Sequence, residues 1–175
     1  MDLAPHPVLT SASVFRDHAA FAWRALRRLG VPDSDVDDVC QEVFVVVHRK
    51  LAEFEGRSSV KTWLYGICVR SASDYRRRAP TRREVVTDSV PEAVVDETQH
   101  DALVKQQGLR VLDVLLDALD DDKRAVFVLY EIEQLGMAEV AEAVGCPLQT
   151  AYSRLHAARK IVEVGAKRMQ KGERS

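Results

Sequence analysis

The chain has 175 residues, of which 46% are hydrophobic and 30% charged, so it can bury a core and wholesale disorder is excluded. An aromatic content of 6%, with only 8 Gly and 6 Pro, disfavours an all-β fold, and abundant Ala, Val, Leu, Arg and Glu favour helices. No apolar run approaches the ~18 residues of a membrane span, and the N-terminus lacks the features of a secretion signal. We therefore expect a cytoplasmic protein with no membrane insertion.

The net charge of −2 hides strong segregation. Residues 61–83 carry seven basic groups and one acidic group, and residues 148–175 carry seven and two. The stretch between them is acidic, with six acids and no base over residues 84–104. Two separated basic blocks predict two docking places for a polyanion, although either block alone could equally be a solvated helix face.

Helical spacing predicts a first helix over residues 13–29. Its apolar stripe comprises Phe15, Ala19, Trp23, Leu26 and Leu29. Residues 30–32 (Gly-Val-Pro) end it. The next helix runs from Val36 to Leu51 on the i, i+3, i+4 rule, although its Val-Phe-Val-Val-Val segment alone favours a strand. An Asp or Ser at positions 33–35 can cap it.

A third helix is predicted from Val60 to about Arg78, where Ala79-Pro80 ends it. Residues 80–104 lose helical periodicity, and we interpret them as a flexible acidic linker with some helix near its end. An amphipathic helix through Leu112 to Leu119 follows, and residues 120–122 (Asp-Asp-Asp) can cap the helix after it. The expected fold is all-α, with two small helical domains: residues 1–79 and 105–175.

The strongest local pattern is a helix-turn-helix over residues 137–155, with a short helix, a turn at Gly145-Cys146-Pro147 and a second helix. Leu148, Ala151, Leu155 and Ala158 are predicted to face the core. The opposite face carries groups suited to base edges and phosphates in a major groove: Gln149, Thr150, Tyr152, Ser153, Arg154, His156, Arg159 and Lys160. A helical hairpin with a basic surface is the alternative.

A second pattern lies in the first half, where a loop with serines and Arg57 precedes a helix with Trp63 and a basic end. Aromatic stacking of about 1–3 kcal/mol per base would let this region hold single-stranded DNA. The alternative is that Trp63 and Tyr65 fill the core. A third pattern is the acidic segment 35–42, which fits a capped helix start, a docking face or a carboxylate metal site.

The cysteines Cys40, Cys68 and Cys146 are scattered without a CxxC pair, which predicts reduced, buried thiols. No metal-ligand spacing is present. We expect no metal, no cofactor and no catalytic residue, so the protein is predicted not to be an enzyme.

Three motifs in this order resemble bacterial sigma factors of the extracytoplasmic-function (ECF) group of the sigma-70 family. They are Asp-Asp-Val-Cys-Gln-Glu-Val-Phe (37–44), Phe-Glu-Gly-Arg-Ser-Ser-Val-Lys-Thr-Trp-Leu-Tyr (54–65) and Ser-Arg-Leu-His-Ala-Ala-Arg-Lys (153–160). The resemblance covers about residues 15–78 and 108–165. It implies a factor that binds RNA polymerase core, recognises the −10 and −35 promoter elements and assists promoter melting.

The resemblance assigns residues to three roles. Those implied in binding the clamp helices of the polymerase β′ subunit are Asp37, Asp38, Gln41, Glu42 and Phe44. Those implied in −10 recognition and melting are Arg57, Ser58, Ser59, Lys61, Thr62, Trp63, Tyr65, Arg70, Arg76 and Arg77. The polar face of the helix-turn-helix would read the −35 element, and its domain would contact the β flap. An anti-sigma factor or another regulator is expected as a partner.

The sequence departs from the family pattern in two places. Family recognition helices often carry glycine, valine and lysine where this chain has Gln149, Ala151 and Tyr152, so no −35 sequence is predicted. Gln134 and Gly136 stand where the family more often has glycine and serine, which makes a serine-type cap doubtful. Two other functions stay open on the residues alone: a response-regulator-type DNA-binding protein without polymerase, and a metal enzyme using the carboxylates of residues 35–42.

Overall fold

The computed structural model describes residues 9–78 and 99–172, with only the backbone course given for 99–107. This part of the chain is all-α, as predicted. Its helices are α1 (Ser11–Arg28), α2 (Val36–Lys50), α3 (Val60–Arg78), α4 (Gln99–Asp117), α5 (Asp121–Phe127), α6 (Met137–Val144) and α7 (Leu148–Gly172). A 3₁₀ turn (Leu51–Glu53) follows α2, and a π-helical turn (Val128–Ile132) follows α5. Most of the predicted linker lies outside the described residues.

Helix α1 begins at a capping box, in which Thr10 Oγ1 accepts a hydrogen bond from the Ser13 amide at 3.1 Å. The predicted apolar stripe is wrong in its first half. Phe15 is 53% and Trp23 37% exposed, whereas Leu26 is fully buried. The residues of α1 that face the core are Val14, Phe21, Ala22, Ala25 and Leu26. Helical spacing alone misplaced the stripe, because Phe15 and Trp23 lie at helical spacing from Leu26 but outside the buried face of α1.

Helix α2 confirms the helical interpretation of its Val-rich segment. Five residues of the predicted stripe are buried, namely Val36, Val39, Cys40, Val43 and Val47. Asp35 stands at the N-cap position, but its side chain makes no capping hydrogen bond. Its Oδ2 instead accepts a hydrogen bond from the Tyr75 hydroxyl at 2.5 Å. The carboxylate therefore ties the start of α2 to α3 rather than closing the helix end.

In the second half, α4 already begins at Gln99, inside the segment predicted as linker. Asp120 caps α5 as expected, because its Oδ1 accepts from the Lys123 amide at 2.9 Å. At α6, Gly136 has no side chain to offer, and the reciprocal bond from Gly136 N–H to Glu139 Oε2 (3.0 Å) closes the helix start instead. The doubt about a serine-type cap is thereby resolved in favour of a glutamate at the third helical position.

The helix-turn-helix forms from α6 and α7. Gly145 ends α6 in the left-handed conformation (φ +69°, ψ 41°), which glycine adopts without strain. Ala151, Leu155 and Ala158 are buried as predicted, but Leu148 is 48% exposed. The prediction for Leu148 is wrong because it is the first residue of α7, where the chain is still emerging from the turn.

The two halves pack against each other in the described structure. Helices α1, α2 and α3 form one three-helix unit, and α4 to α7 form the other. The buried apolar residues of both units belong to one continuous cluster. Helices α3 and α6 approach so closely that a Cβ added to Gly66 would lie 3.1 Å from the Ala143 carbonyl oxygen. This contact brings the helix-turn-helix directly against the third helix of the first unit.

Cys40 and Cys68 are buried free thiols, as predicted, whereas Cys146 is only half-buried. Burial raises the pKa of both buried thiols above the ordinary value. A search of residues 9–78 and 99–172 for a helix of membrane-spanning length and apolarity finds none.

Candidate polymerase and nucleic-acid interfaces

The outer face of α2 carries the acidic residues that the sequence assigned to polymerase binding. Asp37, Asp38, Gln41 and Glu42 are all exposed, while Phe44 is half-buried. Phe44 packs edge-on against Phe15, with ring centroids 4.9 Å apart. A shallow groove on this face is lined by Asp38, Gln41, Glu42, Val45, Val46 and Arg49. Its mixture of carboxylates and exposed valine suits a basic protein helix rather than a nucleic acid.

Two residues of this acidic face are held by neighbouring helices. Trp23 Nε1 donates a hydrogen bond to Asp37 Oδ1 at 2.8 Å. Arg78, at the end of α3, reaches Glu42 Oε2 at 3.4 Å. The sequence placed Trp23 in the apolar stripe of α1 and gave it no functional role.

The loop before α3 and the first turn of that helix form the predicted −10 surface. Gly56 has φ +68°, which makes the turn, and Arg57 beside it is exposed and paired with Glu55 at 2.5 Å. Ser59 caps α3, because its Oγ accepts from the Thr62 amide at 3.0 Å. The half-exposed ring of Trp63 lies against Phe54, with centroids 5.0 Å apart.

The remaining predicted −10 residues divide by exposure. Arg70 and Arg77 are exposed, and Ser58, Lys61 and Arg76 are half-buried. Lys61 Nζ lies 4.8 Å from the centre of the Phe21 ring. Thr62 and Tyr65 are buried.

Tyr65 belongs to the core in this arrangement, which favours the alternative that it fills the interior. Its ring stands edge-on to Phe21 with centroids 4.3 Å apart. Its hydroxyl is buried and has no hydrogen-bond partner of good geometry among the described residues. Burial and the nearby Glu133 carboxylate raise the pKa of this hydroxyl.

Helix α7 presents the predicted −35 surface to solvent. Of its eight predicted residues, six are exposed and two, Thr150 and Arg154, are half-buried. Tyr152 is 50% exposed. The Ser153 hydroxyl donates to the Gln149 carbonyl within the helix at 3.0 Å. A row of donors and acceptors on an exposed second helix is the arrangement that enters a major groove.

Two arginines on α7 are oriented by acidic residues outside it. Arg154 forms an ion pair with Asp122 on α5. Arg159 Nε donates to Glu131 Oε1 at 2.6 Å, and its guanidinium lies 5.6 Å from the centre of the Tyr130 ring. These contacts hold both cations of the predicted −35 surface against the second domain's own acidic residues.

The structure also brings together residues that sequence reasoning missed. Arg28 of α1 pairs with Glu133, and Thr62 Oγ1 donates to Glu139 Oε1 at 3.0 Å. No local pattern in the sequence indicates either contact, because the partners are 105 and 77 positions apart. Within the described residues, no three His, Cys, Asp or Glu side chains come together in a group that could hold a metal ion.

Comparison with known proteins accounts for both halves of the chain. The family model Sigma-70 region 2 matches residues 14–82, and Sigma-70, region 4 matches residues 109–162. The ECF RNA polymerase sigma-E factor of Escherichia coli K12 is 31% identical over 142 residues, covering 76% of this chain and 74% of that protein. The chain belongs to the ECF sigma factors of the sigma-70 family. The ECF RNA polymerase sigma-E factor of Haemophilus influenzae is 28% identical over 142 residues, covering 76% of this chain and 75% of that protein.

Solved structures support the fold. The sigma factor RpoE in complex with the anti-sigma factor NepR from Bartonella quintana has a TM-score of 0.68 at 21% identity, covering 89% of this chain and 96% of that one. CnrH in complex with the cytosolic domain of CnrY has a TM-score of 0.65 at 24% identity, covering 88% and 85%. As an ECF sigma factor the protein binds RNA polymerase core and promoter DNA, and it directs promoter-specific initiation of transcription. It is an initiation factor and not an enzyme.

Proposed function

We propose that this sigma factor divides its work among three surfaces on three different helices. The acidic face of α2 binds the clamp helices of the β′ subunit, the loop before α3 with α3 itself reads and melts the −10 element, and α7 reads the −35 element. The observation that carries the assignment is the separation of these surfaces by chemistry: carboxylates on α2, arginines with a half-exposed Trp63 at α3, and mixed donors and acceptors on α7.

The α2 surface is suited to a protein partner because its acids are exposed in a row beside Val45, which is 48% exposed. A helix bearing Lys or Arg can pair with the carboxylates and cover the valine at the same time. The exposed carboxylates also repel DNA phosphates, so this face is unsuited to the promoter. Phe44 contributes beneath the surface by fixing the angle between α1 and α2.

Melting is assigned to Trp63 because its half-exposed ring lies in the first turn of α3, directly after the serine-containing loop. A base that leaves the duplex loses stacking, and an indole face can replace much of it. The cations that follow along α3, Arg70 and Arg77, are exposed and can neutralise phosphates.

We further propose the organisation predicted from the sequence, with a core- and −10-binding domain (1–79), a linker (80–104) and a −35-binding domain (105–175) that also contacts the β flap. The similar structure of RpoE from Bartonella quintana is a complex with the anti-sigma factor NepR, which supports an anti-sigma factor or another regulator as a partner of the present protein. Because an ECF sigma factor acts together with RNA polymerase core, we propose that the protein acts in the cytoplasm.

Reconstitution with bacterial core polymerase tests the proposal. Transcript starts are mapped across a bacterial genome with and without the protein, and aligned upstream sequences should yield two shared elements. Substituting Asp38→Lys and Glu42→Lys together should abolish recruitment to core, whereas Glu142→Lys with Glu163→Lys, two exposed glutamates on α6 and α7, serves as the control of equal charge change. Unchanged recruitment of the double variant would refute the α2 assignment.

A further inference from the structure

Arg159 of α7 is contacted by two consecutive residues that lie outside that helix. Glu131 Oε1 accepts a hydrogen bond from Arg159 Nε at 2.6 Å, and the guanidinium lies 5.6 Å from the centre of the Tyr130 ring. We propose that Tyr130 and Glu131 are positioning residues for −35 binding, which hold Arg159 in the orientation in which its two amino groups bind a DNA phosphate. This inference rests on the proposed role of α7 as the reader of the −35 element.

Both positioning residues belong to the π-helical turn that follows α5 (Val128–Ile132). The turn is closed by a hydrogen bond from the Glu133 amide to the Val128 carbonyl at 3.0 Å. Such turns are rare and are frequently found at functional sites. Consecutive residues of an ordinary α-helix point about 100° apart, yet both of these side chains contact one guanidinium. The departure from α-helical geometry therefore coincides with the pair of contacts on Arg159.

The contact with Glu131 leaves donors of Arg159 available to DNA. The hydrogen bond uses Nε, and no second acidic side chain pairs with this guanidinium within the part of the chain that the structure describes. The side chain of Arg159 is 53% exposed, whereas that of Glu131 is only 31% exposed. The amino groups Nη1 and Nη2 form the planar fork with which arginine binds a phosphate through two parallel hydrogen bonds. Arg159 can therefore keep Glu131 and bind a phosphate at the same time.

The position of Arg159 along α7 favours a phosphate over a base as its partner. A recognition helix presents its N-terminal residues to the base edges, and in α7 these include Gln149, Tyr152 and Ser153. Arg159 follows Ser153 by six positions, which places it about 9 Å farther along the helix axis. Because the major groove is only about 12 Å wide, a side chain at that distance reaches the phosphates that border the groove. Phosphate contacts fix the register of a protein on the duplex.

Glu131 has two opposite effects on DNA binding, and their balance decides the proposal. Ordering one flexible side chain at an interface weakens binding by about twofold to tenfold, and an arginine that is already held avoids most of that loss. The negative charge of Glu131 by itself repels the phosphate backbone. Removing this carboxylate therefore tightens DNA binding if only its charge matters, and weakens DNA binding if it positions Arg159.

The test measures binding of the holoenzyme, reconstituted with bacterial core, to a −35 duplex. The duplex is taken from a promoter whose start has been mapped with the wild-type holoenzyme, and it ends upstream of the −10 element. Fluorescence anisotropy gives the Kd. Glu131→Ala is compared with Glu142→Ala, which changes an exposed glutamate of α6. Each variant loses one negative charge from the second domain, so the comparison separates the loss of charge from the loss of positioning.

We expect Glu131→Ala to weaken binding of the −35 duplex by about threefold to tenfold, whereas Glu142→Ala should leave the Kd unchanged or lower it. An unchanged or lower Kd for Glu131→Ala would overturn the proposal. Tyr130→Leu, which removes the aromatic face, should weaken binding in the same direction, and Tyr130→Phe, which keeps that face, should match wild type. Equal loss in both Tyr130 variants would overturn the role of the ring.

A second comparison separates positioning from damage to the fold. Arg159→Ala removes the group that Glu131 is proposed to hold, so adding Glu131→Ala to that variant should cause no further weakening. A domain damaged by the loss of Glu131 binds DNA less tightly in either background, and that result would overturn the positioning role alone. If the wild-type holoenzyme does not prefer the mapped −35 duplex to a scrambled duplex of the same length, the proposed role of α7 fails, and this inference fails with it.

Discussion

The two helices that we propose to bind DNA, α3 and α7, differ in how much of their predicted DNA-binding surface is exposed. Helix α7 turns Gln149, Tyr152 and Ser153 to solvent, while the stripe of α3 that includes Thr62 and Gly66 is covered by the neighbouring domain. A surface that reads paired DNA needs no rearrangement, because base edges are already displayed in the groove. A surface for a parted strand is useful only once melting has begun. The fold therefore exposes the predicted −35 surface of α7 and covers part of the predicted −10 surface of α3.

The largest expected effect comes from Trp63, on α3. Trp63→Ala removes the indole that stacks on an extruded base, so open-complex formation should fall by about 1–3 kcal/mol, or roughly fivefold to more than a hundredfold. Permanganate footprinting of the melted strand in the holoenzyme measures this. Recruitment to core and binding to −35 duplex should be unchanged. Trp63→Phe is the matched control, since it keeps an aromatic face that can stack on a base, and normal melting by Trp63→Ala would contradict the role.

The next largest effect on DNA binding is expected from Arg154, on α7. Arg154→Ala should weaken −35 duplex binding by about 1–2 kcal/mol, in the lower part of the range for a base-reading arginine, because this side chain must first leave Asp122. Competition binding with promoter variants checks it. If Arg154 reads a base, the loss is confined to one base pair of the site. A uniform loss across sequences would show that it contacts phosphate only.

The sequence predicted most of the helices and the exposed side of the helix-turn-helix, because both follow from local rules: periodicity, proline and glycine breaks, and capping residues. It failed for Leu148, which is exposed as the first residue of α7, and for Phe15 and Trp23, which keep helical spacing with Leu26 but lie outside the buried face of α1. It could not predict the cover over Thr62. That contact depends on Glu139, and Arg28 meets Glu133 across 105 positions, a pairing that no local pattern encodes.

The two halves of the protein differ in how helices α2 and α5 are capped, and this difference predicts an effect on stability. Asp120 caps α5, whereas Asp35 at the start of α2 is bonded to Tyr75 instead. Asp120→Ala should lower the free energy of unfolding by about 1 kcal/mol. Hydrogen bonds from the Lys123 side chain and amide hold the pKa of Asp120 below its ordinary value.

The sign of the pH effect follows from that shift. Because the folded-state pKa is lowered, the contribution of Asp120 is complete above its ordinary pKa of about 3.9 and is lost as the pH falls through the lower, folded-state value. Urea unfolding as a function of pH measures it. Asp120→Asn keeps a good cap but cannot titrate, so it should retain most of the stability at neutral pH and lose the acid-dependent part. An identical acid dependence in wild type and Asp120→Asn would contradict the assignment.

The smallest effect concerns the turn that carries Glu133 to the domain contact. Gln134 adopts φ +58°, a left-handed conformation that costs an ordinary residue about 1–2 kcal/mol. Its side-chain amide donates a hydrogen bond to the Glu131 carbonyl at 2.5 Å. Gln134→Gly relieves the backbone strain but loses that bond and adds freedom to the unfolded chain, so a net gain of about 0.5 kcal/mol is expected in urea unfolding. Gln134→Ala loses the same bond and keeps the strain, so it should be less stable than wild type. If the Gln134→Ala variant were more stable than the Gln134→Gly variant, the backbone at this turn would not be strained. The contact between Glu133 and Arg28 would then be made without any loss of folding free energy at the turn.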